Sequence, residues 1–125
     1  MKIAIDLDNT ITASSQSEKF FVLLTKMFSP LHEIIILTNR EPDTERVIMA
    51  ELKELGITYT KIVITAHKDR YIIEHGIDIF FEDTDEYFLS LPESVLVFKV
   101  REDGNFDFKE KKWVGSVKTT RMIHG

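Results

Sequence analysis

Residues 2–10 read Lys-Ile-Ala-Ile-Asp-Leu-Asp-Asn-Thr, and this stretch decides the fold. A short apolar run, Lys2 to Leu7, is cut off by acidic and turn-forming residues. Runs of this length bounded by a turn signal read as buried strands of a parallel sheet. The strand delivers two carboxyl groups, Asp6 and Asp8, to its carboxyl end, which is where open parallel sheets bind ligands.

Outward from this strand, Ser15 and Glu18 have capping-box spacing, and Phe20, Phe21, Leu23, Leu24, Met27 and Phe28 recur at helical intervals. A helix is expected from about residue 16 to 28, stopped by Ser29-Pro30. Glu33 to Thr38 (EIIILT) is a second apolar run whose β-branched isoleucines favour a central strand. Pro42 and Asp43 open a second helix with acids in its first turn. Val47, Ile48, Leu52 and Leu55 form its apolar stripe, and Gly56 stands where a helix ends.

The alternation continues. Lys61 to Thr65 gives a third strand, Asp69 to His75 a short helix ended by Gly76, and Ile77 to Phe81 a fourth strand running into Glu82-Asp83. Asp85 to Leu91 is expected as one more short helix and Ser94 to Val100 as a fifth strand. Such alternation builds an α/β fold around a mostly parallel five-stranded sheet with helices on both faces. Beyond Val100 the turn signal at residues 102–105 and the aromatic residues Phe106, Phe108 and Trp113 predict a terminal hairpin or edge strand.

The chain has 125 residues, 43% of them apolar and 30% charged, which suits one globular domain over residues 1–125. It has no cysteine, so thiolate nucleophiles, disulfides and cysteine-ligated zinc are excluded. No apolar run approaches a membrane span, and the run before Asp6 is too short for a secretory leader, so a cytoplasmic protein is expected. A net charge of −5 gives no broad attraction for nucleic acid. Lys109, Lys111 and Lys112 do not change this, because Asp103, Asp107 and Glu110 are interleaved with them.

Polar groups gather at the expected strand ends: Asp6 and Asp8 after the first, Thr38-Asn39 after the second, Lys68 at a helix start after the third, and Glu82-Asp83 after the fourth. Clustered carboxylates repel, and a divalent cation relieves the repulsion. An all-oxygen ligand set suits Mg²⁺, with Asp6, Asp8, Glu82 and Asp83 as its candidate ligands. Phosphoryl transfer needs a nucleophile, neutralisation of the phosphoryl oxygens, and a proton for the leaving alcohol. Asp6 is the candidate nucleophile and Asp8 the candidate acid and base. The Thr38 hydroxyl, the Asn39 amide and Lys68 are candidates to hold the phosphoryl group. Asn9, Asn39 and Arg40 are the candidates for binding the rest of the substrate. Arg40 has an equal claim as a surface arginine paired with Glu41 or Glu45. His67, in a loop beside Lys68, reads as a solvated neighbour.

The ordered series DLDNT (6–10), ILTNR (36–40), HKDR (67–70) and FFED (80–83) resembles the four motifs of the haloacid-dehalogenase superfamily. The resemblance implies a three-layer Rossmann-like core in which Asp6 is the nucleophile. It makes Asp8 the general acid and base, which also gives its backbone carbonyl to Mg²⁺, and Glu82-Asp83 the acidic pair at the metal. Glu82 stands where that family commonly has aspartate, and its role is either to reach the metal or to orient Lys68. Only 27 residues separate Thr10 from Thr38, and one helix uses most of them, so no cap domain is expected. An uncapped site suits a large substrate or a second copy of the chain acting as a lid. The strings also resemble the deoxyribonucleotidase-like branch, without its small insert after the first motif.

The expected activity is therefore Mg²⁺-dependent hydrolysis of a small phosphomonoester, nucleotides included, through an aspartyl-phosphate. Two alternatives remain open at this point: a module that binds a phosphorylated ligand or a protein without chemistry, and a phosphotransferase using the same Asp6.

Overall fold

A computed structural model describes residues 1–101, 106–107 and 109–113. The five expected strands and three of the four expected helices of the alternating pattern are present: β1 Lys2–Ile5, α1 Ser15–Phe28, β2 Glu33–Thr38, α2 Glu45–Leu55, β3 Lys61–Ile64, α3 Lys68–Glu74, β4 Ile79–Glu82 and β5 Leu96–Lys99. The five strands form one all-parallel sheet in the order β3-β2-β1-β4-β5. From β1 the chain builds outward to β2 and β3, then returns to place β4 and β5 on the other side. That reversal opens a crevice at the carboxyl end of β1, where ligands bind in such sheets.

Alternate side chains of each strand feed two cores. Ile3, Ile5, Ile34, Ile36 and Phe81 pack with Phe21 of α1 and with Ile48 and Leu52 of α2 on one face. Ala4, Ile35, Leu37 and Phe80 pack with Ile72 of α3 and with Tyr87 and Phe88 on the other. The sheet is thus covered on both sides, a Rossmann-like three-layer fold, and residues 3–5 of β1 and 34–37 of β2 are all apolar because both faces are dry there.

Several boundaries differ from expectation, each for a local reason. The N-cap of α1 is Ser14, whose hydroxyl oxygen accepts from the Ser17 amide at 3.1 Å, so the cap lies one residue before the expected Ser15. Of the apolar residues of α1 only Phe21 is fully buried, while Phe20, Leu23 and Met27 are exposed. Apolar residues run around more of this helix than one core face can cover. The helix expected from Pro42 starts only at Glu45, because Thr44 folds back, amide and hydroxyl, onto the Glu41 carbonyl.

The expected helix over 85–91 is a single 3₁₀ turn, Asp85–Tyr87, that ends as the chain turns toward Pro92 and β5. At the far end Phe106–Asp107 (β6) and Lys112–Trp113 (β7) pair antiparallel, which is the hairpin reading. Asp107 accepts from the Lys109 and Glu110 amides within its turn, and Lys111 sits at φ 58°. Phe108, the turn at 102–105 and the basic tail from Lys118 lie outside the described residues.

Candidate active site

The site is built at the carboxyl ends of β1, β2 and β4. The Asp6 amide donates to the Phe81 carbonyl at 3.0 Å, so strand pairing continues one residue past β1 and fixes the Asp6 backbone. The chain then turns sharply. Asn9 takes the left-handed conformation at φ 59°, which asparagine tolerates better than most residues, and its amide donates to the Thr12 hydroxyl. A 3₁₀ turn, Ile11–Ala13, follows and is anchored by the fully buried Ile11. This return brings the Thr10 hydroxyl 2.9 Å from Asp6 Oδ2 and 3.3 Å from Asp83 Oδ1.

Lys68, the first residue of α3, reaches inward from the opposite face. Its buried ammonium lies 2.8 Å from Asp6 Oδ1 and 2.6 Å from Glu82 Oε1, and 4.6 Å from the centre of the Tyr87 ring. Lys61, the other lysine near HKDR in the sequence, starts β3 at the opposite sheet edge and pairs with Glu33 at 3.2 Å. The second oxygen of Glu82 accepts from the Asp83 amide at 2.9 Å and the Thr84 amide at 3.2 Å. Both Glu82 oxygens are thus engaged, and the residue orients Lys68 as well as facing Asp6.

Oxygens of Asp6, Glu82 and Asp83 all lie within 4.8 Å of one another, and all three residues are buried. Three carboxyl groups therefore share one ammonium. Burial pushes the Asp6 carboxyl up to about 6, against the pull of Lys68. Burial and the Asp6 charge push Glu82 up to about 9. Burial alone would lower the Lys68 pKa, but Asp6 and Glu82 outweigh it and hold the ammonium above its usual value. The donors of Asp6, Glu82 and Asp83 are hard oxygens held close together, a set that could hold a metal ion.

Thr38 ends β2 beside these groups. Its hydroxyl is buried without a hydrogen-bond partner among the described residues, and it lines a hollow of about 190 Å³ with Asp6, Asp8, Asn9, Asn39, Lys68, Asp83 and Tyr87. A buried, unpaired hydroxyl costs free energy unless something meets it. A larger apolar groove of about 580 Å³ lies between α1 and α2, lined by Val22, Leu23 and Leu55, away from these groups.

Of the sequence-predicted residues, Asp6, Thr38, Lys68, Glu82 and Asp83 converge tightly. Asp8 and Arg40 behave differently from expectation. Arg40 pairs with neither Glu41 nor Glu45; its Nε and Nη2 donate to the two oxygens of Asp8 at 2.9 and 2.7 Å, and Nη2 also meets Glu51 of α2 at 2.8 Å. The reason is reach, since Arg40 and Asp8 leave neighbouring strands at the same sheet edge. These hydrogen bonds hold the Asp8 carboxyl below the usual carboxylate range, and hold the Arg40 guanidinium above its own. The Asn39 side chain donates to the Tyr87 hydroxyl at 3.1 Å, and His67 is exposed.

Sequence reasoning missed Thr10 and Tyr87. Thr10 had a signal, standing four residues after Asp6 in the same motif. Tyr87 had none beyond following the acidic pair.

No family model and no curated protein matches this chain. Among solved structures it is similar to a chain of the Pnkp1/Rnl/Hen1 complex, with a TM-score of 0.58 and 17% identity over 80% of this chain and 45% of that one. The chain thus spans less than half the length of the protein it matches, and what the two share at this identity is the fold.

Proposed function

We propose that this chain is a Mg²⁺-dependent phosphomonoester hydrolase of the haloacid-dehalogenase type, acting on small phosphate esters, nucleotides among them. The observation that carries the reading is the setting of Asp6: a buried carboxylate at the end of β1, held by Lys68 and Thr10, with two further acids and an unpaired threonine hydroxyl around it. A purely structural ion pair has no use for three acids around one lysine.

In the proposed reaction an Asp6 oxygen forms a bond to phosphorus as the bond from phosphorus to the ester oxygen breaks. Asp8 is the carboxyl group assigned to give the leaving oxygen its proton, against the pull of Arg40 on its pKa, so that an alcohol departs and an aspartyl-phosphate remains. Water then adds to phosphorus, Asp8 takes its proton, and the bond from phosphorus to Asp6 breaks, releasing phosphate and restoring both carboxyl groups. Lys68 and the Thr38 hydroxyl meet the phosphoryl oxygens on which charge is spread. With a carboxyl pKa near 6, Asp6 is mostly ionised at pH 7 and able to attack. Asp6 and Asp83, with Glu82 behind them, would hold Mg²⁺, which when bound neutralises phosphoryl charge.

The test is phosphate release from a panel of esters, including deoxynucleoside monophosphates and a chromogenic aryl phosphate, with and without Mg²⁺. Hydrolysis that requires Mg²⁺ supports the reading, and the preferred ester names the substrate class.

A further inference from the structure

We propose that Tyr87 is the positioning residue for Lys68, and that it acts through its ring face and not through its hydroxyl. The inference rests on the hydrolase reading above, in which Lys68 meets the phosphoryl oxygens, and adds a residue that reading does not use. A lysine ammonium is a point charge on a flexible four-carbon stem, so its place in a site is set by what surrounds it. Two neighbours of the Lys68 ammonium are carboxyl groups, Asp6 at 2.8 Å and Glu82 at 2.6 Å. The third is the Tyr87 ring, whose centre lies 4.6 Å away. The negative face of an aromatic ring attracts a cation, most strongly where water is kept out, and Lys68 is buried.

The reaction makes this third contact matter. Once an Asp6 oxygen is bonded to phosphorus, it carries less charge than the free carboxylate did, and Lys68 loses much of its attraction to Asp6. The ring is untouched by that change, so its hold persists through the aspartyl-phosphate. Tyr87 is itself held from several directions. It packs with Phe88 against the second core. The 3₁₀ turn that carries it, Asp85–Tyr87, is tied to β5 by Lys99, which donates to the buried Asp85 at 2.6 Å. The Asn39 side chain donates to the Tyr87 hydroxyl at 3.1 Å. Because β2 and β4 flank β1, that bond joins the loops on either side of Asp6. The short turn that stands where a helix was expected thus delivers an aromatic face to Lys68.

Two substitutions separate the ring from the hydroxyl. Tyr87→Phe keeps the ring, whereas Tyr87→Leu removes both and keeps apolar bulk. For the ester that wild type hydrolyses best, with Mg²⁺ present, kcat/KM should fall by less than about threefold in Tyr87→Phe and on the order of 10-fold in Tyr87→Leu. A second readout needs no turnover. In metal-free, isotope-labelled protein the NMR signal of the Lys68 ammonium protons, identified by its absence from Lys68→Met, should be displaced upfield by the ring current of Tyr87. That displacement should persist in Tyr87→Phe and vanish in Tyr87→Leu.

Equal losses of activity in folded Tyr87→Phe and Tyr87→Leu would overturn the proposal, because they would assign the effect to the hydroxyl. An ammonium signal that Tyr87→Leu leaves in place would overturn it as well. Should Tyr87→Leu fail to fold, a tenfold loss of activity or a lost displacement in Tyr87→Phe alone decides against the ring. Wild-type protein that hydrolyses no ester would remove the hydrolase reading, whereas the ammonium signal would still show whether the ring holds Lys68.

Discussion

At position 38 stability and activity should part company. The Thr38 hydroxyl is buried without a partner among the described residues, so Thr38→Val removes a desolvated polar group and keeps the shape. Urea unfolding should show Thr38→Val within about 0.5 kcal/mol of wild type or more stable. Phosphate release should meanwhile fall on the order of 100- to 1,000-fold, as expected for loss of one transition-state donor. A stability loss of several kcal/mol would mean that the hydroxyl serves the fold instead.

Lys68 should behave in the opposite way. Lys68→Met leaves Asp6 and Glu82 buried without their cation, which costs about 3 kcal/mol at pH 8 in metal-free protein, read by the same urea titration. The loss should shrink at pH 5, where Asp6 also takes up a proton, Glu82 holding one already at pH 8. Most of these residues could be read from the chain because each follows a strand directly, and a parallel sheet gathers strand ends at one edge. The Arg40-Asp8 fork could not be read, since it joins side chains 32 residues apart and depends on rotamers that no spacing encodes.

Helix and strand ends test whether local chemistry places the site. Ser14→Ala removes the N-cap acceptor of α1 and should cost about 1 kcal/mol. Gly56→Ala at the end of α2 should cost a similar amount, about 1 kcal/mol, through backbone strain alone. Gly56 sits at φ 83°, and the nearest atoms an added Cβ would meet are Val22 methyls at 4.0 Å, which is ordinary contact. Thermal or urea unfolding of each variant checks both values. The five strands and three helices could be read because apolar runs, caps and stop signals agreed, as in EIIILT and at Gly56. Where they failed, a turn intervened: the fold-back of Thr44 delayed α2, and the short 3₁₀ turn at Asp85–Tyr87 replaced a helix. The outward apolar face of α1 was also hidden, because periodicity marks a stripe but not how much of it the sheet can cover.

For the whole molecule, the buried acids tie stability to pH and to Mg²⁺. Burial raises the folded-state pKa of Asp6 from 3.8 to about 6 and of Glu82 from 4.5 to about 9. Folded protein therefore holds more protons than unfolded protein between these values, and stability falls as pH rises through them. Metal-free protein should have a lower urea midpoint at pH 8.5 than at pH 5.5. Mg²⁺ should raise the midpoint at pH 8.5 and do so less at pH 5.5, because protons compete for the same oxygens. A midpoint insensitive to Mg²⁺ at both pH values would argue against a metal site at Asp6, Glu82 and Asp83.

The most direct test of the whole account compares phosphate release by wild type and Asp6→Asn in the presence of Mg²⁺. Wild type should hydrolyse at least one ester of the panel. Folded Asp6→Asn should lose at least about 10³-fold in rate, because the amide cannot attack phosphorus. Release that persists in Asp6→Asn, or no release from any ester by folded, Mg²⁺-loaded wild type, would contradict it.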